Sequence, residues 1–186
     1  MLQHRPVKYV VAVMMSTLMA MSFADHVRAD STGFDSGAST ASPNSNPAEL
    51  APQIPRKSGT GRRIVYSNSL QRVWVVNGDN ATVRTFLVSG RRAVPRAGSY
   101  RVFSQSATSF SPDFPGVTFR FMTRFAIGPD GGNIGFHELP LRYGKPMQTV
   151  DQLGTFRGSG CLRSATADAR FIFQWASIGT SVVVVP

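Results

Sequence analysis

One cysteine and one histidine are the residues of this chain best suited to chemistry together. Cys161 is the only cysteine, and it sits in Arg157-Gly158-Ser159-Gly160-Cys161-Leu162-Arg163. Small residues precede it, so backbone can approach a ligand closely there. Shortly after it, Ala169, Ile172, Phe173 and Ala176 recur with helical spacing. A thiol near a helix N-terminus is biased toward the thiolate. A buried, inert thiol is the plain alternative. A cysteine nucleophile also needs a base, a group that orients the base, and donors for a developing oxyanion. His4 and His26 lie near the N-terminus, so His137 is the candidate base in the body of the chain. A packing histidine is the alternative there. The backbone N–H groups of Ser159, Gly160 and Cys161 are the candidate oxyanion donors.

The elements that must position these residues read mainly as strands. Ile64-Val65-Tyr66 and Arg72-Val73-Trp74-Val75-Val76 are strand-like, and Asn77-Gly78-Asp79-Asn80 is a hairpin turn leading into Thr82 to Val88. A basic loop, Arg91 to Gly98, precedes a short strand at Tyr100 to Phe103. Ser104 to Gly116 is polar, with Phe110 and Phe114 interrupting and Pro112 and Pro115 blocking regular structure. Val117 to Met122 alternates with period two, which puts Phe119 and Phe121 on one face as core residues. Ile134-Gly135-Phe136-His137 reads as a strand ending on the histidine. One helix is expected, with Asp168 in its first turn and Gly179 as its terminator. Val182 to Val185 closes the domain as a buried strand. The expected class is mainly β, with a short helix placed directly after the cysteine loop.

The chain has 186 residues and a formal net charge of +10. Most of that excess lies beyond Thr60. It favours polyanionic partners such as anionic cell-wall polymers. Residues 1–29 read as a signal peptide: Arg5 and Lys8 are followed by an apolar run, and small residues sit at Ser22-Phe23-Ala24 and Val27-Arg28-Ala29. An uncleaved membrane anchor is the alternative, although the run is short of the roughly 20 residues that span a bilayer. No cysteine stands near either cleavage site, which argues against a lipoprotein. Export argues against nucleic acid as a partner. It also sharpens the case for Cys161, because exported thiols usually pair and this one has no partner in its own chain. Residues 30–61 are rich in Ser, Pro and Asn and read as a disordered linker. The domain is expected at 62–186.

Gly158-Ser159-Gly160-Cys161-Leu162-Arg163, with Asp168 following, resembles the cysteine signature of the YkuD-type L,D-transpeptidases. Ile134 to His137 is similar to that family's histidine strand, and Pro95 to Val102 to its Pro-x-x-Gly-x-aromatic element. Gln71 to Val75 resembles its first hairpin, and Trp175 with Gly179 to Val185 its C-terminal close. Ser159 stands where the family usually has histidine, Gly158 where it has Ser or Thr, and Glu138 where Gly or Ser is common. The resemblance implies a YkuD-like β-sandwich of mixed sheets, with neither metal nor cofactor. It implies a Cys161 nucleophile, His137 as general base and acid, and the Glu138 carbonyl as orienter. Backbone at Ser159 and Gly160 would hold the oxyanion, with Gly158, Phe136 and Arg163 near the substrate. Arg163 has a structural alternative, an ion pair with Asp168. Ser104 to Phe125 is placed to form a lid. The implied substrates are peptidoglycan stem peptides, crosslinked by acyl transfer, and the implied inhibitors are carbapenems. Hydrolysis of the same stems, or wall binding without catalysis, are the other readings.

Overall fold

The computed structural model describes residues 52–186. The signal-peptide reading and most of the linker reading lie outside the described residues. Eleven strands and one helix follow in order: β1 (Arg63–Ser67), β2 (Arg72–Val76), β3 (Thr82–Leu87), β4 (Gly98–Arg101), β5 (Ser104–Phe110), β6 (Val117–Ile127), β7 (Asn133–Glu138), β8 (Leu141–Arg142), β9 (Lys145–Pro146), β10 (Leu162–Ser164), α1 (Thr166–Trp175) and β11 (Ser181–Val185). A short 3-10 turn lies at Val150–Gln152.

The first sheet has the order β3-β2-β1-β11-β4, with β1 and β11 parallel and the other pairs antiparallel. The middle residues of its central strands are apolar on both faces because both faces are covered. Ile64, Tyr66, Val73, Val75, Val182 and Val184 face the main core. Val65, Trp74 and Val76 face outward and are equally buried, because Ile54 packs on them and the Trp74 indole donates to the Pro52 carbonyl at 2.7 Å. Buried Arg63 in turn donates to the Ser58 carbonyl at 2.8 Å. Pro52, Ile54 and Ser58, from the end of the expected linker, thus pack on this sheet ahead of the expected domain start at residue 62.

The second sheet has the order β10-β7-β6-β8-β9, with β5 also paired to β6. Phe125, Phe136 and Leu162 meet the first sheet in the core, together with Ile172 and Ala176 at the helix. Phe125 stacks on Phe136 at 4.8 Å and meets the Tyr100 ring edge-on at 5.9 Å. The expected mixed-sheet, mainly β architecture with a single short helix is what forms.

Four local expectations need correction. Ser104 to Phe110 is a strand, whose hydroxyl-rich sequence suits a partly exposed surface. Phe119 and Phe121 part company, because Phe121 adopts a left-handed conformation at φ 59° and breaks the alternation of β6. Phe119 joins Val117 and Met122, while Phe121 meets Phe173 on α1. The helix does not follow the cysteine directly, since β10 intervenes. It also ends at Trp175, before Gly179, which makes a positive-φ turn into β11.

Candidate active site

The site is built on the parallel pair β7–β10. Their register sets Phe136 beside Leu162 and His137 beside Arg163. Side chains alternate along each strand, and paired residues share a face. Phe136 and Leu162 thus point into the core and are fully buried. Cys161, Arg163 and His137 share the opposite face, and all three line a cleft of about 740 Å³. Ser159 and Gly160 line it as well, as do Phe110, Phe114 and Phe119 from the β5–β6 hairpin, in the position expected of a lid.

Two backbone anchors hold the cysteine loop. On one side Gly158 N–H donates to Gly90 O at 2.9 Å; on the other, Ser89 and Arg163 exchange bonds of 2.8 and 3.0 Å. A Cβ at Gly158 would sit 2.5 Å from the Cys161 carbonyl and 3.0 Å from Gly90 Cα, so glycine is required there by close approach. Gly90 is fixed in turn by Gln71 Oε1, and Gln71 donates to the Tyr66 hydroxyl at 2.6 Å. Burial pushes that phenol up to about 12, so it stays neutral. The N–H groups of Ser159 and Gly160 donate to no backbone acceptor among the described residues, which leaves them available.

His137 is buried, and its Nδ1 lies 2.5 Å from the Glu138 carbonyl. A carbonyl only accepts, so the proton is on Nδ1 and Nε2 keeps a free lone pair. The ring stacks on Phe119 with centroids 4.0 Å apart. Burial is the largest influence and pulls His137 down to about 4; the Glu138 carbonyl opposes this and the Arg163 charge assists it. The imidazole is therefore neutral near pH 7. The Glu138 carboxylate anchors the strand end: Arg120 donates to it at 2.7 and 2.9 Å and Thr166 at 3.1 Å. Burial opposes its ionisation, but these bonds outweigh burial and hold the carboxyl below its usual range.

Cys161 is half-buried, and its thiol points to the Asn133 carbonyl at 3.4 Å. Burial raises it, while a backbone hydrogen bond from Gly135 and the charges of Arg124 and Arg163 oppose that rise. A neutral imidazole and a protonated thiol therefore face one cleft, with the thiol turned to the Asn133 carbonyl. Catalytic hydrogen bonds often tighten only with substrate bound.

The candidate residues divide on this geometry. Cys161, His137, Ser159, Gly160 and Arg163 come together at the cleft, and the Glu138 carbonyl meets His137. Phe136 lies in the core and Gly158 packs on Gly90, and neither lines the cleft, so the expected substrate contacts at both positions are replaced by structural roles. The Arg163–Asp168 pair does not form. Arg84 holds Asp168 at 2.6 Å, while Arg163 donates to Gln148 at 3.4 Å. Sequence reasoning missed Ser89, Gln148 and Arg124, whose importance comes from strand register rather than from any local motif.

Residues 61–184 match the family model of the L,D-transpeptidase catalytic domain, YkuD. Among solved structures, an L,D-transpeptidase in complex with imipenem aligns with TM-score 0.52 at 20% identity, covering 68% of this chain and 60% of that one. An L,D-transpeptidase from Mycobacterium smegmatis aligns with TM-score 0.52 at 15% identity, covering 69% and 60%. One from Xylanimonas cellulosilytica, residues 123-326, aligns with TM-score 0.51 at 17% identity, covering 73% and 65%. This chain thus spans about 60% of the length of the first two of these structures. No curated relative matches. The family model covers most of the described domain, and the chain belongs to the YkuD family of L,D-transpeptidase catalytic domains.

Proposed function

We propose that the protein is an exported peptidoglycan L,D-transpeptidase that works through an acyl-enzyme on Cys161. The observation that carries this reading is the β7–β10 register, which turns Cys161 and His137 to one face and into one cleft. Sγ attacks the carbonyl at the L-centre of the diamino acid in a tetrapeptide stem. His137 Nε2 takes the thiol proton and returns it to the leaving D-Ala amine. An amine of a second stem then attacks the thioester, His137 takes a proton from that amine, and the thiol is restored with the two stems linked. The imidazolium formed on the way is a strong acid in so buried a site, which suits leaving-group protonation. The free N–H groups at Ser159 and Gly160 supply donors for the tetrahedral oxyanion. The neutral resting pair implies that substrate binding, rather than the empty site, triggers proton transfer.

The imipenem complex of a structural neighbour supports the choice of probe. Incubation with a carbapenem, followed by intact-mass and peptide analysis, should place one adduct on Cys161. Cys161→Ala should show none while melting within a few degrees of wild type, since removing a thiol from a loop costs little packing. An unmodified wild type would refute the covalent mechanism.

A further inference from the structure

Arg124 is a cleft-lining cation that the acyl-transfer steps leave unused. On β6 it pairs with Ser104 of β5 on one side and Gly135 of β7 on the other. The β7–β10 register continues this row to Cys161, one residue before Leu162. Arg124 and Cys161 thus share a sheet face two strands apart, roughly 10 Å between backbones. The residue between them is glycine, and it must be: a Cβ at Gly135 would lie 2.4 Å from the Thr123 carbonyl. Gly135 thus puts no side chain in the row between the two residues.

The guanidinium is held in place without being neutralised. Its Nη1 donates to Ser106 Oγ at 2.9 Å and Ser104 Oγ at 3.4 Å, and its Nη2 to Ser109 Oγ at 3.0 Å. All three acceptors are uncharged. The ion pairs among the described residues use Arg84, Arg91 and Arg120, and none reaches Arg124. A guanidinium has five N–H donors, so donors remain, and each serine hydroxyl can donate its O–H in a hydrogen bond to an incoming anion. A fixed planar fork with spare donors is the geometry that reads a carboxylate.

We propose that Arg124, set by Ser104, Ser106 and Ser109, recognises a substrate carboxylate across Gly135 from Cys161, and thereby selects peptides with a free carboxylate close to the attacked carbonyl. This rests on the acyl-transfer reading above. Two carboxylates of a stem peptide qualify. The C-terminal one lies one residue, roughly 3.4 Å, beyond that carbonyl. The other is on the side chain of the diamino acid, where that residue carries one.

The test uses the full chain and three synthetic tetrapeptide donors: the free acid, its C-terminal amide, and a form amidated only on the diamino-acid side chain. Release of the terminal residue is followed in wild type and Arg124→Gln, with carbapenem acylation of wild type as the control for the chemistry itself. Charged hydrogen bonds of this kind correspond to about 10-fold to 100-fold in kcat/KM. Wild type should favour the acid over one amidated form by that factor, and Arg124→Gln should abolish the difference. The amidated form that mimics the variant identifies the carboxylate. An equal loss on all three donors would make Arg124 structural, and full retention of the preference would remove it from recognition; either overturns the proposal. If Arg124→Gln melts early, Ser106→Ala should still narrow the preference, and an unchanged ratio would count against it. Absence of a carbapenem adduct on wild type would instead refute the acyl-transfer reading.

Discussion

Replacing His137 with glutamine should make the domain less sensitive to acid. His137 is buried against the Phe119 ring and held near 4, against an ordinary value of 6.5. In the unfolded chain the imidazole takes up a proton as pH falls below about 6.5, while in the folded domain it resists until about 4. The unfolded state therefore binds more protons between these values, and stability is lost as pH falls through that window. From pH 7 to pH 5 the linkage amounts to about 2 kcal/mol. Glutamine keeps a polar head near the Glu138 carbonyl but does not titrate. Urea unfolding of wild type and His137→Gln at pH 7 and pH 5 measures the difference, provided m-values match. Wild type should lose about 2 kcal/mol more than the variant over this interval. Glu138 adds acid sensitivity at lower pH in both proteins, so it cancels. Parallel losses would mean that the imidazole is solvated or already charged, and the neutral resting pair would then be wrong.

Three further outcomes follow from the same geometry. Glu138→Gln breaks charged bonds from Arg120 and Thr166, and because Arg120 is half-exposed the loss should be modest, about 1–2 kcal/mol at pH 7, vanishing as pH falls through the low carboxyl pKa of wild type; thermal melts across pH 3 to 7 check it. Gly158→Ala forces a Cβ against the Cys161 carbonyl and Gly90, so carbapenem acylation should slow by about 100-fold through displacement of the loop, an effect that rate measurements on the folded variant would expose. Ser159→His adds a ring at an exposed position, so acylation rates should hold or rise; a large fall would show that this loop depends on a small residue there.

Much of the frame could be read from the chain because its signals are local. The Asn77 to Asn80 turn fixes the β2–β3 hairpin, and the valine-rich β11 announces a strand covered on both faces. Cys161 and His137 stand out because each is alone in the domain. Other features are written in non-local terms. β5 hides behind a run of small hydroxyl residues, three of whose serines hold Arg124 on the neighbouring strand. Phe121 breaks a clean period-two pattern by turning left-handed, which shifts Met122 toward the cleft. The three residues of β10 are too few to show a period, and their pairing with β7 sets the relation of thiol to imidazole. Asp168 lies near Arg163 in sequence, yet α1 carries it to Arg84 on the first sheet. Phe136 and Gly158 sit beside the chemical residues in sequence and serve the core and the loop backbone instead.

The proposed reaction is acyl transfer from one stem peptide to another through Cys161. The most direct measurement incubates the protein with purified disaccharide tetrapeptide and analyses the products by tandem mass spectrometry. The expected product is a dimer with the mass of two donors less one alanine, linked between the third residues of the two stems, together with free D-alanine, all absent with Cys161→Ala. Tripeptide as the sole product would make the enzyme a hydrolase. Unchanged tetrapeptide, from a protein that folds, would rule out acyl transfer through Cys161.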